Sequence, residues 1–306
     1  TRGLPEKEEL FSGSCFDMES IPQFRKNSRW LLATEEVQRQ MREFEEACVK
    51  TDTHFSDGIH RIGDFCDIGN GMVSGLDCAF QIKETGSLNA DEKRSLIDVF
   101  KAKDLDAYRN RNSTKYIFIQ DNVSQDGFKA KYPHFADHFA PFMERLESRY
   151  CYNRYIPYWE FVFPRNQKLF ERKEPRIFVP CKERISNKNH FRFCYAPEGV
   201  YPTQDVTAVF RKKNCRESIE FLLAYLNNVR VFEWLSFNGV VKGAIVEFSE
   251  APIASIPYRP INWMDAGEVR LHDDITREVG EYLSDGLEEH LGNINHLFNS
   301  LFNGQS

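Results

Sequence analysis

Apolar residues recur at every third or fourth position in several stretches of the chain, which predicts amphipathic helices. The first helix runs from Trp30 to Lys50, with Thr34 as its N-cap and an apolar stripe of Val37, Met41, Phe44 and Cys48. Further helices are predicted at 90–103 with Asn89 as the cap, at 133–150, at 217–235 with a bend at 227–228, and at 274–302. The first and last helices each have one apolar face, so we expect them to pack on each other or on a partner.

Strands are predicted between these helices by short apolar runs and by strict alternation of side chains. Lys115–Ile119 and Val206–Phe210 have the length and composition of strands, and the segment 191–195 alternates aromatic side chains with Arg192 and Cys194. Helices and strands mixed in this order predict an α+β fold. We expect a mixed, largely antiparallel twisted sheet with amphipathic helices on its flanks.

A glycine-rich segment at 69–82 predicts a strand, a tight turn and a second strand that ends at Ile82. Gly69, Gly71 and Gly75 lie within seven residues of one another. The backbone there either adopts angles that other residues avoid or is approached closely by another group. A plain β-turn is the simplest interpretation.

Charge is distributed unevenly along the 306 residues, a length that suits one large domain or two modest ones. The net charge of −6 argues weakly against nucleic-acid binding. The stretch 165–192, however, contains nine Lys and Arg residues against three Glu, whereas 265–289 contains nine acidic residues against two arginines. Most charge runs are solvated faces, but basic loops between strands also suit contacts with phosphate groups.

Several classes of protein are disfavoured by the sequence. No apolar run approaches the ~20 residues of a membrane span, and the N-terminal segment has no signal-like apolar core, so we expect no membrane partner and a cytoplasmic location. The eight cysteines are scattered without a C-x-x-C pair, which favours free thiols. His134 and His138 have a spacing that suits one helix face, but no third ligand accompanies them, so we predict no metal site.

The order of short motifs resembles the C-terminal part of TaqI-like DNA adenine-N6 methyltransferases, including the fused type II restriction–modification enzymes. Ile62-Gly63-Asp64 and then Gly71-x-Val73-x-Gly75-x-Asp77-x-Ala79-Phe80 are similar to the opening turn of that family's target recognition domain, with Ser74 where Thr is common. The later motifs, in the family's order, are Phe100–Leu105 with Tyr108, Tyr132-Pro133 through Arg149, Tyr158-Trp159-Glu160, Pro164-Arg165, Pro175-Arg176-Ile177, Leu223-Ala224-x-Leu226-Asn227 and Ser255-Ile256-Pro257.

This resemblance spans nearly all of residues 30–263 and implies three segments. Residues 58–263 correspond to the target recognition domain, which specifies the DNA sequence. Residues 1–57 are expected to be a helical linker or the end of a preceding domain, and residues 264–306 a C-terminal helical segment.

The catalytic motifs of the same family are not found. Its Asn/Asp-Pro-Pro-Tyr/Phe motif holds the flipped adenine, but Ile156-Pro157-Tyr158 and Ile256-Pro257-Tyr258 lack the leading polar residue and the second proline. The upstream glycine-rich loop for S-adenosylmethionine is also missing. We therefore expect no catalytic residue and no cofactor in this chain, with S-adenosylmethionine bound by a separate methyltransferase domain or subunit.

Duplex DNA is the second partner that the resemblance implies. Because they lie in basic or polar loops between strands, the residues predicted to bind phosphates are Lys182, Arg184, Lys188 and Lys242, and those predicted to contact bases are Asn187, Asn189, His190 and Asn238. Asn70 and Ser74 are expected to shape the glycine turn, with a DNA contact as the alternative role. Each of these residues would also suit an ordinary solvated loop.

Three other functions compete with this interpretation. A specificity subunit of a type I restriction system usually carries two recognition domains separated by long helices, and one copy is visible here. A protein-interaction or scaffolding module would have incidental basic loops. A hydrolase would use His134, His138 and a carboxylate.

Overall fold

A four-stranded antiparallel sheet lies between the two main groups of buried side chains, and its strands are, in spatial order, Cys66–Asn70, Val206–Arg211, Arg176–Pro180 and Cys194–Ala196. The computed structural model describes residues 34–49, 58–185 and 188–303. The strands are β1 (Cys66–Asn70), β2 (Leu96–Phe100), β3 (Thr114–Ile117), β4 (Arg176–Pro180), β5 (Lys182–Arg184), β6 (Cys194–Ala196), β7 (Val200–Pro202), β8 (Val206–Arg211), β9 (Val240–Lys242) and β10 (Ile245–Glu247).

Helices surround this central sheet. They are α1 (Glu35–Glu46), α2 (Ile62–Phe65), α3 (Asp77–Phe80), α4 (Ala90–Arg94), α5 (Gln125–Lys131), α6 (Pro133–Phe139), α7 (Met143–Glu147), α8 (Gln167–Phe170), α9 (Ile219–Leu226), α10 (Val229–Asn238), α11 (Glu250–Ala254), α12 (Ala266–Asp285) and α13 (Glu289–Asn303), with 3-10 turns at Ala102–Asp104 and Ala140–Phe142. No helix among the described residues combines the length and the apolar character needed to cross a membrane.

The remaining strands form two smaller sheets, β5-β10-β9 and β3-β2-β7. Strand pairs are antiparallel throughout the described sheets, apart from the parallel pair of β2 and β7. The predicted α+β fold with mixed, largely antiparallel strands is therefore confirmed. The strands are divided among three sheets.

Both faces of the central sheet are buried. In β4, Ile177 and Val179 belong to one hydrophobic core, whereas Phe178 between them belongs to the other. In β8, Val209 and Phe210 divide in the same way. Because successive side chains of a strand point to opposite faces, a short apolar run can serve two cores at once.

Several predicted elements are confirmed. Thr34 caps α1, whose stripe residues Met41 and Phe44 are buried against α10 and the core. The rings of Phe44 and Phe302 lie 5.8 Å apart, so the first and last helices pack on each other. The bend predicted at 227–228 separates α9 from α10. The described cysteines are free thiols, as expected.

Two predicted helices were wrong. The helix predicted at 90–103 ends at Arg94, and Leu96–Phe100 forms strand β2 instead, because pairing with β3 and β7 overrides the local period. A single helix was predicted at 274–302, but the structure has a hairpin of two helices, α12 and α13. Asp265 caps α12, which begins at Ala266 and not at the predicted residue 274, and Gly286, with φ of +77°, ends it.

The glycine segment also differs from its prediction, because a one-turn helix, α3, replaces the second strand. Asp77 explains the difference. Its carboxylate accepts the Ser74 hydroxyl at 2.6 Å and the Tyr116 hydroxyl at 3.1 Å, and Arg149 donates to Ser74 O at 2.9 Å. These bonds turn the chain into α3 directly after Gly75.

Gly75 has both features that the sequence suggested for this segment, an unusual backbone angle and a close approach by another group. Its φ is +84°, and a Cβ at this position would lie 2.4 Å from Val162 Cγ2. We expect Gly75→Ala to lower the free energy of unfolding by about 1–3 kcal/mol, because alanine is strained at this angle. Urea unfolding measures the change. Gly86→Ala is the control, since a Cβ there meets no atom within 4 Å; equal losses for both variants would contradict the prediction.

Candidate nucleic-acid interface

The small sheet β5-β10-β9 brings three of the predicted phosphate-binding residues together. Lys182 and Arg184 alternate with Glu183 along β5 and are both exposed. Ile245 of β10 is paired with both Arg184 and Lys242. Since directly paired residues of neighbouring strands point to the same face, Lys182, Arg184 and Lys242 share one exposed face, called here the basic face.

One carboxylate shares the basic face, since Glu247 of β10 is paired with Lys182. Lys242 Nζ lies 3.4 Å from Glu247 Oε2, but the Lys242 side chain is 77% exposed. An ion pair as exposed to water as this one contributes at most about 1 kcal/mol to stability, so an anion that binds the lysine more strongly can displace Glu247. Lys182 and Arg184 make no ion pair with the described residues. All three cations are therefore available to an external phosphate.

Glu183 lies on the opposite, buried side of β5 and binds two cations. Its side chain is 2% exposed, and Oε1 accepts Lys188 Nζ and, at 2.9 Å, Arg192 Nε. Arg192 in turn donates from Nη1 to Ala102 O at 3.1 Å and Leu105 O at 3.0 Å. Lys188, which we predicted to bind phosphate, is thus held by a buried carboxylate.

Asn189 and His190 line a cleft of about 890 Å³. The cleft lies between the loops at 106–111 and 188–192, the start of α10, and the α12–α13 hairpin. His190 Nδ1 is 2.8 Å from Asn189 Oδ1, and partial burial lowers the pKa of the His190 imidazole. A neutral imidazole beside a side-chain amide can offer both donors and acceptors to a base edge.

The other predicted residues are placed differently. Asn187 lies outside the described residues. Asn238 is half-buried at the last position of α10, directly before Gly239 and β9. Asn70 Oδ1 accepts the Thr207 hydroxyl at 3.0 Å, and Ser74 is buried with its hydroxyl on Asp77. The last two contacts fit the turn-shaping role.

The basic stretch at 165–192 is less basic at the surface than its composition suggests. Arg165 donates to Gly71 O at 2.7 Å, and Arg172 pairs with Asp67 at 2.8 Å. Arg176 is completely buried. With Lys188 and Arg192 on Glu183, five of the nine cations in this stretch bond inside the fold, so fewer cations remain at the surface than the composition suggests.

His134 and His138 do not converge on one point. His134 Nδ1 is 2.8 Å from the buried Glu92 carboxylate, whereas His138 Nε2 donates to Ala79 O at 3.0 Å. Because the two imidazoles bind different partners, these positions do not form the paired site that the hydrolase interpretation requires.

Two sets of residues at this interface were missed in the sequence. Glu183 was counted only as an anion, although a carboxylate between two cations on a strand must point to the opposite face. Asn295 and Asn299 also line the cleft, and their spacing of four on a helix was the available signal.

Comparison with known proteins identifies the class to which the relatives of this chain belong. No protein-family model matches the chain. The curated homologues are type II methyltransferases. Type II methyltransferase M.HindII of Haemophilus influenzae is 46% identical over 272 residues, which cover 86% of this chain and 52% of that protein. M.HincII, also of Haemophilus influenzae, is 42% identical over 271 residues, 86% of this chain and 50% of that protein. The chain thus spans about half the length of these relatives.

One solved structure supports the fold. The type IIL restriction-modification enzyme MmeI, solved in complex with DNA, superposes with a TM-score of 0.55 on 80% of this chain and 33% of its own, at 10% identity. At that identity the similarity concerns the fold alone.

Proposed function

We propose that this chain is the DNA-recognition part of a type II restriction–modification adenine-N6 DNA methyltransferase of the TaqI-like class. The observation that carries the proposal is the 46% identity to M.HindII over 86% of the chain. The named relatives are type II enzymes, which favours this function over a type I specificity subunit. S-adenosylmethionine and the catalytic residues would belong to a separate methyltransferase domain or subunit.

In the proposed mechanism one surface binds phosphates and another contacts bases. Lys182, Arg184 and Lys242 on the basic face bind phosphates and set the position of the duplex, because such contacts fix register without reading sequence. Asn189 and His190 of the cleft contact base edges in the major groove, together with Asn238 at the end of α10 and with Asn187, which lies outside the described residues. The methyltransferase partner then flips adenine out of a duplex that this chain holds in place.

In this mechanism Lys188 is not a main phosphate contact, because Glu183 binds its ammonium group. A phosphate would have to compete with a buried carboxylate for the Lys188 ammonium group. We therefore propose that Lys188 mainly orders the loop that carries Asn189 and His190. The proposed recognition domain covers 58–263, and the segments 1–57 and 264–306 flank it.

Neutralising the basic face tests the proposal. The triple substitution Lys182→Gln, Arg184→Gln and Lys242→Gln is expected to weaken binding to every duplex. It should also reduce the slope of log affinity against log salt by roughly 2–3, because each lost phosphate contact removes about 0.9. Fluorescence anisotropy with unrelated duplexes between 50 and 200 mM salt, the range over which such slopes are measured, gives both quantities.

A matched control removes the same charge elsewhere. Lys83, Lys93 and Lys129 are exposed lysines on other elements, and their triple substitution by Gln should leave the slope nearly unchanged. Equal slopes for the two triple variants would reject the basic face as the phosphate site. Absence of duplex binding by the unsubstituted chain would reject the proposed function and favour a protein-interaction module.

A further inference from the structure

The hairpin of α12 and α13 brings three metal-ligating side chains to one place. Glu278 and Glu281 are one helical turn apart on α12, and His290 lies in the first turn of α13. The turn between the helices is tightly defined, because Gly286 is left-handed and Leu287 N donates to Asp285 Oδ1 at 2.8 Å. None of these residues belongs to the proposed DNA-binding surface.

The candidate ligand atoms of the three side chains lie close together, at separations that bracket those around a metal ion. His290 Nδ1 lies 2.9 Å from Glu278 Oε2 and 3.5 Å from Glu281 Oε2. All three candidate ligand atoms lie within 4.8 Å of one another. Ligand atoms around a tetrahedral zinc ion, at bond lengths near 2.1 Å, are roughly 3.4 Å apart.

The second ring nitrogen of His290 is held by another carboxylate. Nε2 lies 3.2 Å from Asp285 Oδ2, while the other oxygen of Asp285 is fixed by Leu287 N. A proton on Nε2 satisfies this contact and leaves the lone pair of Nδ1 directed at Glu278 and Glu281. A carboxylate behind the ring is the usual support of a metal-binding histidine.

Charge and burial also favour a cation between these groups. His290 is 8% exposed as a residue and the Glu278 side chain 12%, so water screens this pair poorly. Three carboxylates surround a single imidazole. Arg277 is close, but its Nη1 binds Asp274 at 2.8 Å and its Nη2 is 3.7 Å from Glu278. A divalent ion would replace the proton on His290 Nδ1 as the positive partner of the carboxylates, because metal ligands bind in their deprotonated form.

We propose that Glu278, Glu281 and His290 form a binding site for a divalent transition-metal ion of the zinc type, which fastens α12 to α13. Mixed nitrogen and oxygen ligands suit zinc and its neighbours, whereas Mg²⁺ and Ca²⁺ prefer oxygen alone. Asn293 helps to hold the Glu278 carboxylate in place, since its Nδ2 donates to Glu278 Oε2 at 2.9 Å. The role of the ion is structural, and none of its three ligands lines the cleft proposed to contact bases.

Titration of the chelator-treated full chain with Zn²⁺ tests this site. We expect one ion per chain by calorimetry and, with zinc at about 100 times its dissociation constant, a rise in the unfolding temperature of roughly 5 °C. Co²⁺ should give the visible absorption of a four-coordinate nitrogen and oxygen site. His290→Gln is expected to abolish these effects.

Glu281→Gln is the more discriminating variant, because the Glu281 side chain is 49% exposed and its loss leaves the fold intact. We expect it to weaken zinc binding at least tenfold while the metal-free unfolding temperature stays within about 1 °C. Glu289→Gln removes the same charge from an exposed position outside the trio and should bind zinc normally. Absence of zinc binding at micromolar concentrations, or binding unchanged in His290→Gln and Glu281→Gln, overturns the proposal.

Discussion

Replacing Glu183 with alanine is expected to lower the free energy of unfolding by about 3–5 kcal/mol, the usual cost of breaking a buried ion pair from one side. Glu183 is the shared acceptor for Lys188, for the Arg192 side chain and, at 3.2 Å, for Arg192 N. Its loss leaves two half-buried cations and a backbone N–H without their acceptor. The contacts of Arg192 with Ala102 O and Leu105 O would then lose their anchor at β5.

Urea unfolding of Glu183→Ala beside Lys182→Ala checks this expectation. Lys182 is the neighbouring exposed residue of the same strand, and its substitution should change stability by no more than about 0.5 kcal/mol. Glu183→Gln keeps the shape and removes the charge, so it should fall between the two. A loss below about 1 kcal/mol for Glu183→Ala would show that the three contacts contribute little.

Arg176→Met is expected to destabilise the protein by about 3–5 kcal/mol, because the buried guanidinium satisfies several backbone acceptors at once. Arg176 Nη1 donates to Phe170 O at 3.1 Å and Val200 O at 3.0 Å, and Nε donates to Glu174 O at 3.1 Å. The guanidinium also lies 4.8 Å from the Phe210 ring centroid. Burial lowers the pKa of Arg176, which is the direction expected for a cation removed from water.

The matched control for Arg176 is Lys173→Met, which removes an exposed cation nearby and should change stability by about 0.5 kcal/mol at most. Arg176→Lys keeps the charge but loses the planar set of donors, so it should recover only part of the stability. DNA-binding salt slopes of the folded Arg176→Met protein should equal those of the unsubstituted chain. A reduced slope would place Arg176 among the phosphate contacts and contradict its structural role.

Local patterns were sufficient for the elements whose side chains follow one clear period. The caps of α1 and α4, the strand β8 and the break between α9 and α10 were all predictable, because each depends on neighbours in sequence. Strand β2 was not, since Leu96, Ile97, Val99 and Phe100 fit a helical stripe as well as a strand. Its pairing with β7 joins segments about 100 residues apart, which no local window contains.

The candidate site was likewise only partly predictable from local sequence. Lys182, Arg184 and Lys242 were expected in loops, but they lie on strands β5 and β9, and the availability of each cation depended on tertiary partners. Arg165, Arg176 and Lys188 have the same formal charge as Lys182, yet carbonyls and a carboxylate from other segments bind them. The sequence determines the number of charges, and the fold determines how many remain at the surface.

The helices outside the proposed recognition segment share its hydrophobic core. Phe44 of α1 and Ile275, Val279 and Phe298 of the C-terminal hairpin pack in the same cluster as Ile177 and Val209 of the central sheet. Exchanging DNA specificity between relatives by transplanting 58–263 alone would therefore cut through one core and leave apolar surface unmatched on both pieces. A chimera intended to transfer specificity must carry α1, α12 and α13 together with the strands.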